Sequence, residues 1–150
     1  MIVGGSPRKP EILGNKVIQL LADEERFCYH RASEMPAESV REWLTKVRAK
    51  ALAQAQHALG PLITREVGVG AIVAKDGTLP DLTTILASHM RIHSAEGFFY
   101  RDVFRDACRI PCRIVPAPSL DVTAVGKLAT TPWGRDQKLA ALAAWQVLIH

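Results

Sequence analysis

Two short apolar segments flank a long amphipathic one in the middle of the chain. Residues 67–75 and 112–116 are apolar at successive positions, which is typical of strands that are buried on both faces. Residues 81–108 between them carry apolar side chains at helical spacing. This order predicts a strand–helix–strand crossover. Since a long crossover joins parallel strands, we expect 67–75 to pair in parallel with 112–116.

Further strands are predicted in the first third of the chain. Residues 2–5 form a short apolar run closed by a Ser-Pro turn. Residues 27–31 are rich in aromatic side chains and alternate in character, which predicts a strand. Residues 16–22 fit either a strand or a short helix; as a strand, they would form a hairpin with 27–31.

Helices are predicted on both sides of this sheet. Apolar positions recur at spacings of three and four from Val40 to Leu59, after a proline suited to a first turn and before Gly60-Pro61. Residues 120–128 are weakly helical, and the alanine-rich residues 135–148 predict a closing helix. The crossover segment 81–108 is one helix, or two with a break between His89 and Ser94, because Ser94 could cap a second helix.

These elements together predict an α/β fold in one domain, residues 1–150. The sheet is mixed, contains about five strands and carries helices on both faces. The chain has 150 residues, of which 48% are hydrophobic and 23% charged, which is ordinary for a globular protein.

Composition gives limited information about the cellular location and the partners of the protein. The three cysteines, an odd number, favour a reducing and therefore cytoplasmic location. The apolar runs are too short for a membrane span, and the first residues do not resemble a secretion signal, so we expect no membrane partner. A net charge of +4 mildly favours nucleic acid or another polyanion.

Three ionisable residues in the crossover segment form a candidate metal site. His89, His93 and Glu96 are spaced four and three apart, so one continuous helix would place them on one face. Two imidazoles and a carboxylate suit zinc or another divalent ion. The alternative is a set of hydrogen-bonded polar residues near a helix boundary.

Carboxylates form a second candidate site. Asp76 follows a predicted buried strand and Asp136 begins the last helix, where ligand crevices form in open α/β sheets. With Glu96 they could hold Mg²⁺ and act as catalytic residues on a phosphodiester. Alternatively, Asp76 serves an Asp-Gly turn and Asp136 stabilises a helix N-terminus. The cofactor therefore stays open between magnesium and zinc.

Basic side chains lie off the apolar stripe of the helix that ends at Leu59. Exposed basic residues there form either a solvated face or a surface that contacts phosphates. They are Arg41, Lys46, Arg48 and Lys50.

The order of elements resembles the ribonuclease-H-like fold, and more narrowly the RuvC-type Holliday-junction resolvases. Ile2-Val-Gly-Gly-Ser-Pro7 stands where that family has I-x-G-I-D-P, and residues 110–116 resemble the strand after its long helix. The segment from Val125-Gly126 to Lys138 is similar to the family's V-x-G-x-G-x-A-x-K motif. The resemblance implies nucleic-acid contact. It also implies a degenerate nuclease site, because Gly5 or Ser6 stands at the first catalytic aspartate.

Three functions follow from these features. The first is a nucleic-acid-contacting, ribonuclease-H-like domain with a degenerate nuclease site. The second is a metal-dependent hydrolase that uses Glu96 and Asp136 with His89 or His93. The third is a non-enzymatic assembly protein, such as a homodimer. The sequence leaves open whether the chain is an enzyme.

Overall fold

The computed structural model describes residues 1–6, 8–14, 16–62, 69–73, 77–108, 112–116 and 133–148. These residues group into two compact units. The strand unit holds β1, β2, β3, β4 and α5, and the helical unit holds α1, α2, α3 and α4. The elements run in the order β1 (Ile2–Ser6), β2 (Lys9–Gly14), α1 (Cys28–Ser33), α2 (Ala37–Leu59), β3 (Val69–Val73), α3 (Leu82–Leu86), α4 (His89–Ala107), β4 (Cys112–Pro116) and α5 (Arg135–Leu148).

The strand unit contains two separate strand pairs. β1 and β2 form an antiparallel hairpin in which Gly5 lies opposite Pro10. Gly5 has a φ of 82°, and a Cβ there would collide with the carbonyl oxygen of Lys9, so the hairpin needs glycine at this position. β3 and β4 pair in parallel, from Val69 opposite Cys112 to Val73 opposite Pro116, as the crossover pattern predicts.

Helix α5 supplies the core of the strand unit. It contacts both β1 and β3. Its buried residues Ala141 and Leu142 pack against side chains that lie in or just before the hairpin and the helix, namely Met1, Val3, Ile12, Trp133 and Trp145.

The predicted five-strand mixed sheet with helices on both faces is wrong. Within the described residues, each sheet has two strands, and the hairpin and the parallel pair are not hydrogen-bonded to each other. The ribonuclease-H-like fold and the RuvC-type resemblance depend on one continuous sheet, so both are overturned. The physical reason is that the predicted third and fourth partners, residues 16–22 and 27–31, are not strands.

Residues 28–31 lie in helix α1, Phe27 is its N-cap residue, and residues 16–22 have no regular structure. The predicted hairpin between them is therefore wrong. The apparent alternation in 27–31 is one turn of helix, because Cys28 and Ala32 are both fully buried and lie four residues apart. The hairpin that the structure does contain pairs residues 2–6 with 9–14.

The crossover segment is two helices, and the break falls earlier than the sequence suggested. α3 begins after Asp81, whose carboxylate accepts a hydrogen bond from the backbone N–H of Thr84 at 3.0 Å. α4 begins at His89 and continues through Ser94, whose hydroxyl donates to the carbonyl of Met90 instead of capping a new helix. His89, His93 and Glu96 therefore belong to one helix.

Helices α1 and α4 each contact the other three helices of the helical unit. The predicted helices at residues 36–59 and 135–148 are confirmed as α2 and α5. The predicted helix at 120–128 lies outside the described residues. No helix in the described part of the chain has the length and apolar character required to cross a bilayer. The buried side chains of the helical unit include Val40, Val47, Ala51, Ala55, Ile85, Ile92, Ala95, Phe99 and Val103.

Candidate metal centre

One face of α4 carries a line of polar residues toward α1. His89, His93, Glu96 and Tyr100 follow one another at spacings of four, three and four, so they share one side of the helix. The Tyr100 hydroxyl donates to the carbonyl oxygen of Arg26 at 2.5 Å, just before α1. Burial raises the pKa of Tyr100 to about 12, so this hydroxyl stays protonated at neutral pH.

Three histidines meet where α1 approaches the first turns of α4. Their possible ligand atoms lie within 4.8 Å of one another. Ring centroids are 4.4 Å apart for His89 and His93, 4.7 Å for His30 and His93, and 5.3 Å for His30 and His89. His30 is partly buried, while His89 and His93 are exposed. We call His30, His89 and His93 the three-histidine cluster.

Glu96 acts as the cap of α1 although it lies on another helix. The N-cap residue Phe27 has no side chain that can accept a hydrogen bond, and the Glu96 carboxylate takes this role. Its Oε1 accepts from the backbone N–H groups of Tyr29 at 2.8 Å and His30 at 3.3 Å. Glu96 is only 8% exposed, so these hydrogen bonds satisfy a charge that would otherwise be costly to bury.

The second carboxylate oxygen of Glu96 accepts from the buried Cys28 thiol, with Sγ 3.7 Å from Oε2. Burial raises the pKa of Cys28 well above its usual range, and the charge and hydrogen bond of Glu96 raise it further. The thiol therefore remains protonated and donates its hydrogen. Cys28 is not part of the group of possible metal ligands that meet beside it, and its thiol is directed at Glu96 instead.

Glu96 also determines how His30 presents its ring. Nδ1 of His30 lies 3.4 Å from Oε1 of Glu96. Because a carboxylate can only accept a hydrogen bond, this contact favours the tautomer of the neutral ring that carries its proton on Nδ1 and offers Nε2 to a metal ion. Carboxylate, histidine and metal are arranged in this way in many protein metal sites, where the carboxylate orients the ligand and raises its basicity.

The cluster fits a tetrahedral transition metal after a small closing movement. Zinc–nitrogen bonds of 2.0–2.1 Å place two ligands of a tetrahedral ion about 3.4 Å apart. The separations of up to 4.8 Å must therefore shrink by about 1.4 Å at most. The exposed rings of His89 and His93 can supply this movement through side-chain rotation without moving the helices.

The residues that the sequence predicted as site residues have different locations and contacts in the structure. It keeps His89 and His93 together and gives Glu96 hydrogen-bond partners, which is the alternative considered for that residue. Asp136 is an exposed residue in the first turn of α5 and belongs to the strand unit. Asp76 lies outside the described residues. The catalytic group of Glu96, Asp136 and Asp76 therefore stays a prediction.

Sequence reasoning missed His30. The chain has five histidines, and His30 lies 59 residues before His89, so no local spacing connects the two. The signal that could have found it is the helical reading of residues 27–31, which would have placed a histidine in the first turn of a short helix. Only the packing of α1 on α4 brings it to the other two.

The basic face of α2 is mostly paired. Lys46 contacts Glu42 at 2.6 Å, Lys50 contacts Glu25 at 2.5 Å, and Arg48 contacts Asp106. These ion pairs favour a solvated face over a surface that contacts phosphates.

Comparison with known proteins adds no relative. Neither a protein-family model, nor a curated protein, nor a solved structure matches this chain. The RuvC-type assignment and the nucleic-acid contact inferred from it therefore have no support from sequence or fold. The function has to be argued from the geometry of the helical unit.

Proposed function

We propose that the helical unit binds one divalent transition-metal ion, of which zinc is the best fit, through the three-histidine cluster. The observation that supports this most strongly is the meeting of three imidazoles from two helices within 4.8 Å. A neutral imidazole is the commonest protein ligand for such metals.

Imidazole donors also discriminate between the two cofactors considered from the sequence. Magnesium requires oxygen ligands, and nitrogen donors suit zinc, copper or nickel. In the described residues, the group of three or more potential metal ligands consists of histidines alone. Zinc bound by three protein side chains keeps a fourth position for water, and the exposure of His89 and His93 leaves that position open to solvent.

Metal titration of the full-length chain tests this function. Protein stripped by a chelator is titrated with zinc in competition with a chromophoric chelator, and the bound metal is counted by elemental analysis. We expect one zinc per chain. His30→Ala, His89→Ala and His93→Ala should each weaken zinc affinity by roughly 100-fold or more, since loss of a direct ligand exceeds the 10–100-fold cost of losing an outer partner.

His57→Ala is the matched control. His57 is an exposed histidine in the last turn of α2, in the same unit, and it is not part of the cluster. Its loss should leave zinc affinity unchanged. Zinc affinity that is the same in His93→Ala as in His57→Ala would contradict the proposal, as would a wild-type chain that binds no zinc. Copper and nickel titrations rank the metals within the same site.

A metal-dependent hydrolase remains a candidate function, but with a different role for Glu96. Glu96 is already hydrogen-bonded to two backbone amides and a thiol, so its contacts favour a role in holding His30 over a role as general base. The non-enzymatic assembly protein, the homodimer and the cytoplasmic location stay predictions.

A further inference from the structure

Two exposed apolar side chains lie next to members of the three-histidine cluster. Phe27 is 51% exposed and Met90 is 79% exposed, and they are the large apolar residues exposed in the described part of the helical unit. The Phe27 ring meets the His30 ring edge to face, with centroids 6.0 Å apart. Met90 directly follows His89 in the chain. Both apolar side chains are therefore exposed to an apolar group that approaches the cluster.

The donor set leaves the charge of a bound zinc ion intact. All three members of the cluster are histidines, and a neutral imidazole adds no negative charge to the ion that it binds. A zinc ion with three neutral ligands lowers the pKa of its bound water to about 7. His89 and His93 lie in the first turns of α4, whose positive end further favours hydroxide over water.

We propose that the zinc-loaded cluster is a hydrolytic centre for small carboxylic esters with an apolar, aromatic leaving group. This inference rests on the proposed metal binding and names the chemistry of the open position. Phe27 provides the apolar contact for the aromatic part of the substrate. The ester carbonyl carbon then faces the zinc-bound hydroxide.

The reaction balances with water as the only co-reactant. The hydroxide oxygen forms a bond to the carbonyl carbon, and the bond from that carbon to the leaving oxygen breaks with its electron pair. The aromatic alcohol leaves as its anion, and the carboxylic acid product releases its proton to the buffer and leaves as the carboxylate. A new water occupies the open position and releases its proton to the buffer, which restores the hydroxide.

Phe27 has a matched control on α4. Both Phe27 and Phe98 carry an arginine guanidinium over the ring, at 4.7 Å for Arg26 and 4.1 Å for Arg101. Phe98 lies five residues after His93, which places it about 140° around the helix from that ligand. Truncating either ring removes the same kind of contact, and only one of the two rings meets a histidine of the cluster.

Hydrolysis of 4-nitrophenyl acetate by the zinc-loaded full-length chain tests the inference. We expect turnover well above that of free zinc at the same concentration, inhibition by azide, which competes for the open position, and loss of turnover in His93→Ala. Phe27→Ala should raise KM about fivefold, the size of one aromatic contact. Phe98→Ala should leave KM unchanged.

The outcomes separate the two proposals. A chain that binds zinc through the cluster but hydrolyses the ester no faster than free zinc overturns the hydrolytic centre and leaves the metal site intact. A chain that binds no zinc overturns both. Turnover with equal KM in Phe27→Ala and Phe98→Ala overturns the assignment of Phe27.

Discussion

Glu96 links the fold of the helical unit to its candidate metal centre, so its replacement tests both. Glu96→Ala removes the acceptor of two backbone N–H groups in α1, those of Tyr29 and His30, together with the partner of the Cys28 thiol. Glu96→Gln keeps one oxygen that can accept from the same two amides but removes the negative charge. The two variants therefore separate the hydrogen bonds from the charge.

The magnitude follows from these contacts. Hydrogen bonds to a charged group contribute roughly 1.5–3 kcal/mol each, and a buried donor left without a partner costs about 1–3 kcal/mol. Because the two amides are only partly buried, water can replace part of the hydrogen bonding that they lose. We therefore expect Glu96→Ala to lower the free energy of unfolding by about 3 kcal/mol. For Glu96→Gln we expect a loss of about 1 kcal/mol.

Urea denaturation measures the free energy of unfolding. With a denaturant slope of about 2 kcal/mol/M, the alanine variant should unfold at a urea concentration about 1.5 M lower than the wild type. Amide hydrogen exchange gives the local readout, because the Tyr29 and His30 amides should lose protection in Glu96→Ala and keep it in Glu96→Gln. Both variants should also bind zinc 10- to 100-fold more weakly, since the His30 ring loses its orienting carboxylate.

Glu42→Ala is the control for these measurements. Glu42 is also a helical glutamate, but its side chain is 71% exposed and pairs with Lys46 in solvent. Its removal should leave the unfolding midpoint and zinc affinity close to those of the wild type. If Glu96→Ala loses no more stability than Glu42→Ala, the capping of α1 by Glu96 is refuted.

Two further predictions use pKa shifts elsewhere in the chain. Hydrogen bonds from Thr84 lower the pKa of Asp81 below its ordinary 3.8, so its capping of α3 stabilises the fold above that pH and is lost as the pH falls through the lower folded pKa. The urea midpoint of Asp81→Ala should therefore lie below that of the wild type at pH 7, and the difference should shrink under strong acid; an equal difference at both would contradict the cap. Burial, followed by the neighbouring Cys112 thiol, raises the pKa of Cys108 from 9.0 to about 12. Its alkylation by iodoacetamide at pH 8 should therefore be about 1000-fold slower in the folded chain than in urea. Peptide mass spectrometry measures the two rates. Equal alkylation rates of Cys108 in the folded chain and in urea would refute the raised pKa.

The sequence predicted the elements whose periodicity is regular and long. α2 and α5 follow their apolar spacing closely, and β3 and β4 pair in parallel because two strands on either side of a crossover have little alternative. The polar line on α4 was also readable, since helix geometry alone places residues four and three apart on one face.

The prediction failed where short segments depend on partners far along the chain. Residues 27–31 contain too few positions for alternation and helical spacing to differ clearly. Their helix is stabilised by Glu96, more than sixty residues away, which no local pattern in the segment reveals. Residues 9–14 form β2, a strand that the sequence analysis did not predict, and this strand includes Pro10. A proline is compatible with a strand that has a free edge, and β2 pairs only with β1 in the described residues.

The candidate site depends both on local helical spacing, which the sequence reveals, and on contacts between distant segments, which it does not. His89 and His93 alone could hold a metal ion only weakly, because two ligands on one helix leave most of the coordination sphere to water. The third ligand comes from α1, and α1 is in place because Glu96, on the same face of α4, caps it. Glu96, which the sequence predicted as a metal ligand, therefore serves the candidate site by holding His30, the histidine that the sequence analysis missed. The affinity for zinc should therefore depend on Glu96 even though its carboxylate oxygens are occupied by α1, and a helix that merely carried two exposed histidines would show no such dependence.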